Sequence, residues 1–332
     1  MTEMWEARRL VAEGGRRLLT EGLTARTWGN ISARAGENRM AITPSGLSYE
    51  TMTPEDIVCV DMATGAWEGG HKPSSEKGIH LAAYQVFPQA GFVLHTHQTY
   101  ASALGLAGFD RLPITEAEHA ALGGIALAEY ALPGTKKLAA HVTDAFLAGA
   151  RVVLLARHGA VIVGRDADEA FARARLLEQI CRRACRGQCD VFTVDQDLTE
   201  RCVAAASWKF GSVRACATPA TLCCAAEKQK VYAQLDDMAQ IIGPVIPTAE
   251  PEETALLRAL EKTDVVLVKG VGALCRARTA ADCQAQCLLA DKACVAWLHT
   301  RALGVKNRLP LADAYLMRGV YLQKYAKQMG EK

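Results

Sequence analysis

The chain has 332 residues, half of them hydrophobic and 22% charged, a composition that fills about two globular cores and excludes a disordered or fibrous protein. Its 38 basic and 36 acidic side chains nearly cancel, to +2, and leave no electrostatic footprint for nucleic acid or an anionic membrane surface. No apolar run reaches the roughly 20 residues that span a bilayer, and the opening MTEMWEARRL has no apolar secretory core, so the chain reads as cytoplasmic and the sequon Asn30-Ile31-Ser32 as unglycosylated.

Taken in chain order, residues 4–22 predict a helix with an apolar face that includes Trp5, Leu10, Val11, Leu18 and Leu19. TWGNISARAGENRMAITPSG predicts short strands joined by tight loops, and DIVCVDMATGAW a strand, a turn and a second strand. SSEKGIHLAAYQVF predicts a helix capped by Ser74 or Ser75. GFVLHTH is a strand whose alternation puts Val93, His95 and His97 on one face. Helices follow at 99–107 and over TKKLAAHVTDAFLAG. VVLLARHGAVIVG gives two strands around a turn at His158-Gly159, and ADEAFARARLLEQICRRAC a long helix.

Residues 1–190 form one predicted domain and 191–206 a linker, and over 207–332 the plan partly restarts. VVLLARHGAVIVGRDADEAFARARLLE (152–178) aligns without gaps on VVLVKGVGALCRARTAADCQAQCLLAD (265–291), an offset of 113 (265 − 152). The same offset carries His95, His97 and His158 onto Trp208, Phe210 and Val271, and Thr135 onto Thr248. The second half thus reads as a truncated, metal-free copy. Trp208, Phe210 and Val271 are expected to fill the space of a lost site, and the copy to pack against residues 1–185 of its own or a partner chain. Cys59 is the only one of twelve cysteines before residue 181, and without a secretory signal all are read as reduced. The stripes Cys181/Cys185/Cys189 and Cys283/Cys287 read as small buried residues, since no CxxC pair points to a metal.

His95 and His97 share a strand face and can reach one ion. With His158 at a strand turn and Glu76 opening a helix, they make a full tetrahedral ligand set for Zn2+. His80, His141 and His299 lie on predicted helices beside apolar positions and read as structural. TWGNISAR, ITPSGLSYETMTPEDIVCVD, KPSSE with HLAAYQ, LHTHQTYASALG and RHGAVIVG, in this order, make residues 1–185 resemble the class II aldolase/adducin family.

That resemblance implies a three-layer α/β/α sandwich with a mixed, mostly antiparallel sheet, followed here by the truncated repeat. It implies a homo-oligomer with active sites at subunit contacts. His95, His97 and His158 would be zinc ligands, and Glu76 both the fourth ligand and the catalytic base. Asn30, Thr43, Ser45, Gly46, Ser74 and Ser75 would surround a substrate phosphate. The implied activity is cleavage of a phosphorylated ketose of the fuculose 1-phosphate kind to glycerone phosphate and a short aldehyde. The alternatives are a same-family epimerase, dehydratase or decarboxylase, or a non-catalytic adducin-like module. Related 4-epimerases carry Asp where Glu76 stands. One departure concerns the proton donor: the aldolases carry Tyr four residues after the Pro matching Pro113, and Ala117 stands there, beside Glu116, Glu118 and His119 as candidate substitutes.

Overall fold

The computed structural model describes residues 3–187 and 193–324. The chain divides into two units, Met1–Ala184 and Cys185–Lys332. In the first, α1 (Glu3–Thr20) precedes β1 (Asn30–Arg34), β2 (Arg39–Ile42), β3 (Val58–Asp61) and β4 (Trp67–Glu68). Next come α2 (Lys77–Val86), β5 (Phe92–Thr96), α3 (Thr99–Leu104), α4 (Glu116–Leu122), β6 (Ile125–Ala128) and α5 (Lys136–Leu147). A hairpin of β7 (Val152–Leu155) and β8 (Gly159–Gly164) leads to α6 (Ala167–Ala184). The strand order is β4-β3-β2-β1-β5-β8-β7-β6. Within this sheet, among the described residues, only β6–β7 is a parallel pair, so the sheet is mixed and mostly antiparallel.

Helices cover both faces. On one, Met40, Ile42, Val58, Val60, Val93, Val161 and Val163 pack against Ile79, Ala83 and Phe87 of the α2 segment and Leu138, Val142 and Phe146 of α5. Phe87 and Phe146 meet edge-on at 5.5 Å, and truncating buried Phe146 to Ala would cost about 3–5 kcal/mol. On the other face, Gly14 of α1 lies against Ile31 and Phe92, and the Phe92 ring is 6.3 Å from Phe171 of α6. The period-two alternation of β5 sends Phe92 and Leu94 to one layer, and Val93 and His95 to the other.

Two local expectations shift. The helix after SSE starts at Lys77 with Glu76 as its N-cap, not Ser74 or Ser75; the Ser74 hydroxyl instead accepts the Glu76 N–H at 3.2 Å. The short elements α4 and β6 were not legible, because LPITEAEHAALGGIALAEY is too brief and mixed to carry a clear period.

The second unit starts earlier than the 207 boundary. Its first helix, α7 (Gln196–Phe210), takes in most of the expected linker, while 188–192 lie outside the described residues. Asp195 caps it by accepting the Leu198 N–H at 2.9 Å. Then come β9 (Ser212–Cys216), α8 (Pro219–Ala226), β10 (Val231–Tyr232), α9 (Asp236–Ile241), β11 (Val245–Ile246), β12 (Thr248–Ala249) and α10 (Glu253–Lys262). The hairpin β13 (Val265–Val268) and β14 (Gly272–Ala277), then α11 (Ala280–Ala302) and α12 (Leu311–Lys324), complete it.

Its main sheet runs β12-β13-β14-β9, with β12–β13 parallel and the others antiparallel. That order and direction match β6-β7-β8-β5. The offset of 113 holds through the hairpin, where Val152↔Ile162 becomes Val265↔Cys275. It fails on both flanks. Phe92↔Gly164 matches Ser212↔Ala277, which puts His95 on Ala215 and His97 on Ala217. Leu127↔Leu154 matches Thr248↔Leu267, so Thr248 answers to Leu127, not to Thr135. The expected Trp208 and Phe210 were therefore misregistered: loop lengths between elements differ in the two copies, and only strand pairing fixes the correspondence. Trp208 is 87% exposed and fills nothing. Val271 does sit in an apolar core with Cys202, Leu256, Leu260 and Leu274, with Phe210 and Ala215 packed against it.

Candidate metal centre

The site is built on β5, on the turn before β8 and on the entry to α2. His95 is fully buried near the end of β5, and its Nδ1–H donates to the Ala160 carbonyl of β8 at 3.0 Å. A carbonyl only accepts, so Nε2 of His95 keeps its lone pair. That Nε2 lies 3.0 Å from Nε2 of His158 and 3.1 Å from Nε2 of His97. The three nitrogens lie within 4.8 Å of one another, the only such group of potential ligands among the described residues.

Glycine makes this approach possible. A Cβ on Gly159 would stand 2.1 Å from the Thr96 carbonyl oxygen, and one on Gly29, at φ 74°, would stand 2.3 Å from that of His95. Any side chain there would push β8 or the residue before β1 away from β5.

Glu76 is buried beside the triad, with Oε2 3.2 Å from His95 Nε2 and Oε1 3.4 Å from His158 Nε2. Burial raises its carboxyl, but positive charge at His95, His158 and His97 outweighs this and holds it well below the usual carboxylate range; with the imidazoles neutral, a cation must supply that charge. Oε2 accepts a hydrogen bond from Asn30 Nδ2 at 2.9 Å, whereas Oε1 accepts none among the described residues.

This donor set fits a divalent ion. Imidazole nitrogens 2.0–2.1 Å from a tetrahedral zinc stand about 3.3 Å apart, close to the spacing here. Lone pairs converging at this distance, beside a buried carboxylate, call for a cation to offset their repulsion.

The other expected residues divide into two groups. Two loops run side by side: Ser45 N–H donates to the Lys72 carbonyl (2.9 Å) and Ser74 N–H to the Thr43 carbonyl (3.0 Å). This brings Thr43, Ser45 and Gly46 near Ser74 and Ser75, and Gly134 also borders Ser75. Thr43 is buried and its hydroxyl accepts the Ile31 N–H at 3.2 Å, while Ser45 and Ser75 are exposed. Asn30, by contrast, is 97% buried and joins the carboxylate: its carbonyl oxygen meets His80 Nε2 at 2.5 Å.

His80 thus belongs to a buried network, and burial pushes its imidazole down to about 3. His141 Nδ1 lies 2.9 Å from the Glu129 carbonyl, and buried His299 accepts the Arg186 N–H at 2.9 Å. Glu118 closes the capping box of α4 with Thr115 and pairs with Arg183 at 2.6 Å, while Glu116, Ala117 and His119 are exposed on the same helix.

Among the described residues ten cysteines form no disulfide, and nine of these are buried. No described helix is long and apolar enough to cross a membrane.

Residues 9–185 match the family model of the class II aldolase and adducin N-terminal domain. The chain belongs to the class II aldolase and adducin family. It is similar to L-ribulose-5-phosphate 4-epimerase UlaF of Salmonella paratyphi C, at 35% identity over 180 residues, which cover 49% of this chain and 77% of the relative. Among solved structures it is similar to L-fuculose 1-phosphate aldolase, with 34% identity, TM-score 0.50, and 54% of this chain and 85% of that chain covered. It is also similar to YgbL of Klebsiella pneumoniae, with 26% identity, TM-score 0.51, and 55% and 89% covered. These likenesses span roughly the first unit.

Proposed function

We propose that the first unit is a zinc-dependent class II aldolase that cleaves a phosphorylated ketose to glycerone phosphate and a short aldehyde. The observation that carries this reading is the convergence of the His95, His97 and His158 lone pairs beside the Glu76 carboxylate. When bound there, zinc supplies Lewis-acid stabilisation of the charge that develops at the ketone oxygen, worth several kcal/mol.

The chain's own groups supply the rest. In cleavage the β-hydroxyl loses its proton and becomes the aldehyde. The Cα–Cβ electron pair moves to the ketone side as an enediolate, which then takes a proton at that carbon. Glu76, as fourth ligand and as base, moves this proton through Oε1, the oxygen that accepts no hydrogen bond among the described residues. Exposed Ser45 and Ser75, with the backbone around Gly46 and Ser74, offer donors to a phosphate dianion. Asn30 has one N–H left for it, since its carbonyl and other N–H are engaged. The reading includes a homo-oligomer, in which the β-hydroxyl proton passes to an acceptor other than the family Tyr.

The likeness to a 4-epimerase favours a second reading, in which the same bond is broken and remade with inverted configuration. Proton NMR separates the two. The aldolase reading expects deuterium exchange into glycerone phosphate in D2O and release of glycerone phosphate from fuculose 1-phosphate. Retention of all carbons of ribulose 5-phosphate in an epimeric product, without either signal, would replace it with the epimerase. Absence of all three would reject both and leave the dehydratase, the decarboxylase and the adducin-like module.

A further inference from the structure

On the α2-facing side of the sheet, four polar side chains line up behind Glu76. The pairing of β1 with β5 sets Asn30 opposite His95 and Ser32 opposite Val93, so both face the same layer as His95. One turn apart on α2, His80 and Tyr84 meet them. Tyr84 Oη lies 2.9 Å from Ser32 Oγ, Ser32 Oγ 2.7 Å from His80 Nδ1, His80 Nε2 2.5 Å from Asn30 Oδ1, and Asn30 Nδ2 2.9 Å from Glu76 Oε2. All five residues are at least nine-tenths buried.

The hydrogens have one consistent direction with His80 neutral. A carboxylate only accepts, so the amide nitrogen of Asn30 must face Glu76 and its oxygen must face His80. His80 Nε2 therefore carries the proton and Nδ1 the lone pair. The Ser32 hydroxyl donates to that lone pair, and the Tyr84 hydroxyl donates to Ser32. Every donor points toward Oε2.

We propose that His80 is the positioning residue of Glu76: through Asn30, its Nε2–H tautomer ties down Oε2 and leaves Oε1 free to exchange protons. Without that donor, Asn30 can rotate its carbonyl against the carboxylate, and Glu76 loses its orientation. The second unit supports the link. α7 precedes β9 as α2 precedes β5, and it contains neither His nor Tyr. β1 has no counterpart among the described residues of that unit. The chain of donors is missing where the triad is missing.

The inference rests on the Glu76 role proposed above for its catalytic arm only. In the full-length protein, long-range 1H–15N correlation should find His80 in the Nε2–H tautomer; an Nδ1–H tautomer would overturn the inference whatever the enzyme does. His80→Leu should fold and take up zinc, but should lose zinc to a chelator about 10–100-fold faster than wild type. Its deuterium exchange into glycerone phosphate should fall by a similar factor in kcat with KM within about threefold. His80→Gln, which restores an N–H donor, should recover most of both, and equal losses in Leu and Gln would reduce His80 to packing. If His80→Leu does not fold, Tyr84→Phe removes only the terminal hydroxyl, and zinc release at the wild-type rate in that variant would reject the relay. If wild type exchanges no deuterium, the proposed function fails, while the tautomer and zinc-release results still decide this inference.

Discussion

The two units use one four-stranded framework, β6-β7-β8-β5 and β12-β13-β14-β9, for opposite ends. In the first, the matched positions on β5, after it and in the hairpin turn are His95, His97 and His158, with Glu76 at the entry of the preceding helix. In the second the strand and turn positions are Ala215, Ala217 and Val271, and Asp195 caps the preceding helix. Val271 is wholly buried where His158 would stand. Strand pairing and hairpin geometry survive without the site, because backbone hydrogen bonds and apolar faces hold them. The chemistry lies in a few side chains that the framework carries and does not need.

Moving second-unit residues into the first gives the sharpest tests. His158→Val or His97→Ala should cut metal content from about one ion per chain to a small fraction and lower turnover by about 10³ or more, read by elemental analysis and NMR assay. Full metal occupancy in either variant would break the comparison at its root. Next, Glu76→Gln should keep the fold and some metal but slow α-proton exchange by about 10²–10⁴. Wild-type exchange would remove Glu76 from the reaction.

The reverse change tests the apolar replacement. Val271→Ala should destabilise the second unit by about 1–3 kcal/mol in urea unfolding and leave metal content unchanged. Val271→His should add no second ion, since Ala215 and Ala217 offer no lone pairs.

The smallest effect is in pH dependence. His80 is pushed down to about 3 in the fold, while an unfolded histidine titrates near 6.5. Between these values the unfolded chain binds a proton that the folded chain refuses. His80 therefore contributes stability above about pH 6.5 that is lost as pH falls toward 3, at up to about 1.4 kcal/mol per unit. Apo protein carrying His80→Gln should show a shallower loss of stability between pH 6.5 and 5 than wild-type apo protein. Identical slopes would mean His80 is not held neutral.

Much of this was legible in the residues. The runs of β-branched residues, the capping signals and the HTH and RHG motifs specified the strands, the helices and the three imidazoles, because period and turn chemistry are local properties. The repeat was legible where the hairpin is gapless. Beyond it, chain counting gave Trp208 for His95, and only the cross-strand register corrected this to Ala215, since the loop lengths differ. That Asn30 and His80 reach Glu76 was not legible, because nothing local shows that β1 pairs with β5 beneath α2. Residue types fixed which groups could bind a metal or move a proton. The tertiary structure decided which of them meet, since hydrogen bonds between residues 46 to 50 positions apart depend on packing and not on sequence spacing.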